Sequence, residues 1–181
     1  MCISLETERL LLRPPGRRDI PAIVPLANDY DVAKNLAKLP HPYTAQDGEM
    51  YVRTSEEKRA AGTDFAFAIT RKSDGVLMGG IGLHLKDGSF EFGYWLGKPY
   101  WKQGYATEAA CRLVAFAFDD LKADLVWAGW FHDNPRSGNV LAKLGCVPDR
   151  FEPRHSLARG MDIGCNITVL TRTSYYGRRA A

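Results

Sequence analysis

The chain has 181 residues, 45% of them hydrophobic and 25% charged, with a formal net charge of +3. That length can bury a substantial core as a single domain over residues 1–181, and the composition is ordinary for a globular protein. The apolar runs fall far short of a bilayer span and the mild positive charge forms no clustered basic face, so neither a membrane nor nucleic acid is expected as a partner. Met1 to Glu6 lacks the basic segment and apolar stretch of a signal peptide, which makes the cytoplasm the expected location. The four cysteines, Cys2, Cys111, Cys146 and Cys165, show no CxxC spacing. Cys111 and Cys146 stand in apolar surroundings and read as buried free thiols, and neither a disulfide framework nor a metal site is expected.

Arg9 to Arg13 reads as a first strand. Arg17-Arg18-Asp19 leads into helical sequence that Pro25 should kink or end, because a proline removes an interior donor. A short helix is expected from Asp31 to Lys38, then a break at Pro40-His41-Pro42-Tyr43. Thr44 offers an N-cap with Asp47 as its reciprocal partner, for a helix from Ala45 to Ala61 stopped by Gly62. Phe65, Phe67 and Ile69 alternate with small residues, as a strand with one strongly apolar face requires. Ser73-Asp74-Gly75 and Lys86-Asp87-Gly88 are turn signals that divide three strands into an antiparallel meander ending at Phe90–Leu96. A helix from Gly104 to Leu121 carries Ala109, Leu113, Phe116, Ala117 and Leu121 at helical spacing. A strand from Leu125 to Phe131, a helix from Ser137 to Leu144 stopped by Gly145, and a strand from Ile163 to Thr171 complete the chain. The mixture predicts an α+β domain with helices on both faces of a mixed sheet.

The segment Tyr100-Trp101-Lys102-Gln103-Gly104-Tyr105-Ala106-Thr107-Glu108-Ala109 carries the most functional information. A glycine-containing loop that opens a helix presents unpaired N–H groups and the positive end of the helix dipole to one point, which suits a pyrophosphate. The same sequence would also serve as a plain solvated turn. Preceded by Glu91-Phe92-Gly93-Tyr94-Trp95-Leu96, it resembles the GNAT superfamily of acyl-CoA-dependent N-acetyltransferases, and within it the RimJ/RimL branch. Glu8-Arg9-Leu10-Leu11-Leu12-Arg13-Pro14 and Asn134-Pro135-Arg136-Ser137, followed by Lys143-Leu144-Gly145, fit that branch in the same order. The resemblance spans about Thr7 to Cys146. It implies the GNAT fold, in which Phe90–Leu96 and Leu125–Phe131 splay apart around the acyl-CoA. Two departures stand out. Trp101 occupies a position where the wider family often has Gln or Arg, and Cys146 stands where an aromatic usually follows Lys-Leu-Gly.

The resemblance also implies roles for particular residues. Backbone amides of Gln103, Gly104, Tyr105, Ala106 and Thr107 would hold the pyrophosphate of acetyl-CoA, and the Thr107 hydroxyl could add a bond. Lys102 either screens the phosphates or points to water. Trp95 and Leu96 would pair with the pantetheine arm as an added strand, although Trp95 is equally a core aromatic. Asn134 would bond the same arm. An amine must be neutral to attack, and an α-amine, with a reference pKa near ~8 against ~10.4 for lysine, is the easier acceptor. Glu91 shares a strand face with Gly93 and Trp95 and is the candidate base, directly or through a water; it could instead only attract the positive substrate. Ser137 is the candidate acid for the departing thiolate, or a simple helix cap. His132 is a weak alternative proton carrier.

The expected activity is transfer of an acetyl group from acetyl-CoA to a primary amine, by direct attack in a ternary complex without a metal. The acceptor is a protein N-terminal α-amine or a small-molecule amine, read by Ala33–Tyr43 and Arg150–Met161. The second segment holds Arg150, Arg154, His155 and Arg159, a basic rim that would repel polyamines. A homodimer is compatible with the sequence. The competing expectation is a non-catalytic acyl-CoA sensor or docking module of the same fold.

Overall fold

The computed structural model describes residues 3–180. Cys2 lies outside the described residues. Eight strands form one mixed sheet in the order β1-β2-β3-β4-β5-β6-β8-β7. Short β1 (Leu5–Glu6) and β2 (Leu10–Arg13) pair with each other and lead into the meander β3 (Asp64–Arg71), β4 (Leu77–Lys86) and β5 (Ser89–Leu96). The two turns fall where the sequence placed them: Gly75 and Gly88 take φ of 72° and 78°, a left-handed conformation that glycine adopts without a Cβ penalty.

The strand periodicity explains both layers. Phe65, Phe67, Ile69, Ile81, Leu83, Phe92 and Leu96 point to one face and pack on α4 (Tyr105–Ala115). On the opposite face the small residues Ala66, Ala68, Gly80, Gly82 and Gly93 lie in register across β3, β4 and β5. That face is covered by α1 (Ile20–Ala27) and α3 (Ala45–Ala60). Pro25 lies inside α1, which runs only two residues further. A four-residue α2 (Tyr30–Ala33) follows, in place of a longer helix to Lys38. Thr44 and Asp47 form the reciprocal cap: the Asp47 amide bonds Thr44 Oγ1 at 3.3 Å and the Thr44 amide bonds Asp47 Oδ2 at 2.8 Å.

The expected Gly104–Leu121 helix is two pieces. After Ala115 the backbone makes a π-helical turn over Phe116–Asp120. Phe116, Ala117 and Phe118 are all buried, because this segment packs against two surfaces. Phe116 meets Phe65 and Phe67 edge-on, while Phe118 stacks on Tyr175 at 4.7 Å.

From α4 the chain crosses to β6 (Leu125–Phe131), the sheet's parallel neighbour of β5. Then come α5 (Pro135–Leu144), β7 (Val147–Ser156), β8 (Met161–Thr171) and α6 (Arg172–Ala180). The sequence analysis did not anticipate β1, β7 or α6. Strand β7 is the sheet edge, which is why it tolerates Pro148, Pro153 and a charged, exposed face. Cys111 is corrected: it is exposed, because the buried stripe of α4 runs through Ala109, Ala110, Leu113 and Val114 and turns position 111 outward. Cys146 is half-buried and Cys165 buried. Among the described residues no helix is long and apolar enough to cross a membrane.

Candidate active site

Strands β5 and β6 pair only at Phe90 with Val126 and Glu91 with Trp127. Beyond Glu91 they part, and the β5 backbone has no strand partner on that side. A cavity of about 410 Å3 opens in the gap. Its wall contains Trp95, Leu96, Lys102, Gly104, Tyr105, Ala106, Thr107, Asn134 and Ser137. These come from three elements, β5, α4 and the helix Pro135–Leu144, and the turns that lead into the two helices, and they span more than forty positions of sequence. Gln103 lies beside the wall, with its side-chain amide donating to the Pro99 carbonyl at 2.8 Å.

The loop geometry fits an anion. Gly104 is the N-cap of α4 with φ 83° and makes no side-chain cap bond. The first helical bond runs from the Glu108 amide to the Gly104 carbonyl at 3.1 Å. The amides of Tyr105, Ala106 and Thr107 therefore precede the helical ladder and face the cavity mouth, at the positive end of the dipole. Lys102 has φ 62°, so the turn into α4 is left-handed at two positions.

The N-terminal Glu8–Pro14 segment acquires a physical role here. Arg9 donates to the Gln103 carbonyl at 3.1 Å and lies over the Tyr105 ring at 4.5 Å. Its Nε and its amide both donate to Glu108, at 2.7 and 2.9 Å, and the Thr7 hydroxyl adds a third bond at 2.5 Å. Burial pushes the Glu108 carboxyl up, but these donors outweigh it and hold the group below its ordinary value. Arg9 and Glu108 thus brace the loop from behind. Arg136, also unassigned from sequence, lies in the cavity wall over Trp101 at 5.6 Å. Trp101 in turn donates its indole N–H to the Leu96 carbonyl at 2.7 Å, tying the loop to the end of β5.

At the inner end, the Tyr94 hydroxyl donates to Ser137 Oγ at 3.1 Å. Burial pushes the Tyr94 phenol up, so it keeps its proton at neutral pH. Ser137 is therefore free to donate its own hydrogen elsewhere. Tyr94 went unnoticed in the sequence because its partner lies 43 residues away.

A second and larger cavity, about 840 Å3, lies on the small-residue face and meets the first along Phe92–Trp95 and Gly129. Ala66, Gly80, Gly82 and Gly93 line its floor. Both segments expected to read the acceptor contribute to its walls, through Asn35–Pro40 with Tyr43 and through Glu152–His155. They are tied together: the Leu157 amide donates to the Ala37 carbonyl at 3.0 Å, and Arg159 Nε to the Lys34 carbonyl at 2.7 Å. The basic rim is neutralised from within. Arg150 pairs with Asp149 and Glu152, Arg154 with Glu91 and Glu152, and Arg159 with Asp133. Glu91 lines this cavity, and its Oε1 accepts from Arg154 Nη1 at 2.6 Å. His132 lines neither cavity and meets the Gly164 carbonyl at 3.2 Å. His84 does line the larger one, with its Nδ1 2.6 Å from Asp64 Oδ2.

A protein family described as acetyltransferase (GNAT) domain matches residues 9–147. The uncharacterized N-acetyltransferase p20 of Bacillus licheniformis is 26% identical over 177 residues, covering 96% of this chain and 99% of that protein. A GNAT-family acetyltransferase from Bacillus anthracis has a crystal structure that superposes with a TM-score of 0.83 at 21% identity, over 94% of this chain and 99% of that one. A structure of RimL, a ribosomal L7/L12 α-N-protein acetyltransferase in complex with coenzyme A, superposes with a TM-score of 0.84 at 13% identity, over 95% and 99%. These structural likenesses concern the fold.

Proposed function

The chain belongs to the acetyltransferase (GNAT) domain family and is an acetyl-CoA-dependent acetyltransferase, and from that premise we propose that it acetylates a protein N-terminal α-amine as a member of the RimJ/RimL-like branch. The observation that carries this reading is the larger cavity. Its glycine and alanine floor leaves room for an extended chain to lie on the sheet and reach the parted strands end-on. The likeness to RimL supports the branch. The paired arginines of the rim present little net charge, so they do not select against small amines, which are the second acceptor class.

In this reading acetyl-CoA supplies a thioester carbonyl at the point where the two cavities meet. The amides of Gln103 to Thr107 bind the pyrophosphate, with Lys102 and Thr107 beside it. The free edge of β5 at Trp95 and Leu96, together with Asn134, holds the pantetheine arm, and a backbone N–H of that edge faces the carbonyl oxygen. Glu91, with Oε1 taken by Arg154, offers Oε2 to the acceptor ammonium, directly or through a water. Ser137 hands its hydrogen to the sulfur and is resupplied through Tyr94. Holding both reactants at one point contributes by itself, since orientation converts a bimolecular encounter into a local one.

The test is a turnover assay with acetyl-CoA and three amines: a hexapeptide with a free α-amine, the same peptide Nα-blocked but carrying a lysine, and spermidine. Thiol release and product mass are read together. We expect kcat/KM for the free α-amine to exceed the other two by at least about tenfold, as the lower amine pKa favours. A preference for spermidine would sink the α-amine reading and leave the acetyltransferase activity standing.

A further inference from the structure

The sequence offered no partner for His84, because Asp64 lies on a different strand. In the sheet the two residues face each other directly across β3 and β4. Asp64 is a nearly buried side chain, 9% exposed, whereas the His84 side chain is 43% exposed and lines the acceptor cavity. A carboxylate can only accept, so Nδ1 carries the hydrogen and the Nε2 lone pair is left for the cavity. The other neighbour of His84 in the sheet is Glu91, in the last rung before β5 and β6 part. The imidazole also leans along its strand: its Cε1 lies 3.6 Å from where a Cβ on Gly82 would stand, and Gly82 faces Gly93 across the sheet. Glycine at both positions leaves no side chain of β4 or β5 between the ring and Gly93, which lines both cavities.

We infer that His84, oriented by Asp64, is the general base that takes the proton from the acceptor ammonium, while Glu91 holds the ammonium beside it. This deepens the acetyl-transfer reading above and rests on it. The acceptor nitrogen loses two protons overall. One passes to His84 Nε2 and on to solvent. The other ends on sulfur through Ser137, as the C–N bond forms and the C–S bond breaks. Glu91 is the poorer terminal acceptor because one of its oxygens is already engaged by Arg154. The charged and titratable groups that line the same cavity include Asp64 on β3, Lys86 on β4, Glu91 on β5, Lys38 in the loop after α2, Asp47 and Lys58 on α3, and Glu152, Arg154 and His155 on β7. None of the β7 groups lies in the Asp64–His84 bond itself.

Two measurements test this. The first is NMR of the imidazole nitrogens in the full-length protein. His84 should be the Nδ1–H tautomer when neutral, and Asp64→Asn should abolish that preference. An Nε2–H tautomer in the unmodified protein would overturn the inference, whatever the acceptor proves to be. The second is the pH profile of kcat/KM for whichever of the three amines turns over. His84→Gln should lower it about 100-fold near neutrality, the range a general base supplies. The deficit should shrink tenfold per pH unit as the pH approaches the amine's own pKa, where no base is needed. A loss below threefold, or one that does not change with pH, overturns the inference. Stabilisation of each variant by acetyl-CoA shows that it is folded. Failure of the unmodified protein to acetylate any of the three amines counts against the acceptor reading and not against the tautomer result.

Discussion

Gly104 and Gly93 are glycine for opposite reasons. Gly104 needs its glycine for its backbone: at φ 83° a Cβ is strained, and it would stand 3.3 Å from the Arg9 guanidinium. Gly104→Ala should cost about 1–2 kcal/mol in urea unfolding and weaken acetyl-CoA binding in calorimetry, because the amides behind it shift together. Gly93 carries no such constraint, and a Cβ there meets nothing within 4 Å. Gly93→Val should leave stability within about 0.5 kcal/mol, yet it fills the point where the two cavities join. We expect an unchanged unfolding curve together with a loss of kcat/KM for the amine; an enzyme that stays fully active would show that the acceptor does not pass Gly93. The motif made both glycines visible in the sequence, but not the difference between them, since backbone angle and free space are properties of the folded chain.

Among the elements, α4 depends on the turn between β1 and β2, about 100 residues earlier. Its first turn is held by Thr7 and Arg9 through Glu108, and that carboxyl is depressed below its ordinary value. A depressed carboxylate contributes stability above its unfolded pKa, and the contribution is lost as pH falls through the lower, folded value. The unmodified protein should therefore lose this increment on acidification below the ordinary glutamate range. Glu108→Gln should lack that pH-dependent part and be less stable by about 1.5–3 kcal/mol at pH 7, as followed by denaturant melts across pH. Equal pH dependence in both proteins would show that Glu108 is not the group responsible. Elements with a strong local signal were legible in advance: the Thr44 cap, the two glycine turns and the alternation in β3. Strand β7 carries no apolar periodicity, and helix α6 is short and polar overall. The first is an edge strand, and the second is held by Phe118 stacking on Tyr175 and by Tyr176 and Arg179 on Asp119, contacts that exist only after the π-helical turn has formed.

For the whole molecule, the cleft between β5 and β6 joins the meander to the β6–α5 half, so acetyl-CoA bound there should stabilise the fold rather than one element. Acetyl-CoA at one hundred times its dissociation constant should add about 2.7 kcal/mol, seen as a rise in melting temperature that ATP alone does not match because it cannot fill the gap between β5 and β6. No shift at saturating acetyl-CoA would remove the cofactor role from the cleft. The sequence by itself determined the meander and the glycine loop that opens α4, because each is written in local spacing: a glycine before a helix, a period of two, a turn between apolar runs; the family and the parting of β5 from β6 were legible only through the resemblance of its motifs. It also brought forward the residues that the cleft wall unites, since most of them sit in those motifs. Only the tertiary structure decided which side chains meet across strands and helices. Arg154 reaches Glu91, Tyr94 reaches Ser137, Arg9 reaches Glu108 and Asp64 reaches His84 over separations of 63, 43, 99 and 20 residues. Side-chain pairing at such distances depends on sheet register and helix docking, and neither leaves a periodic trace in the chain.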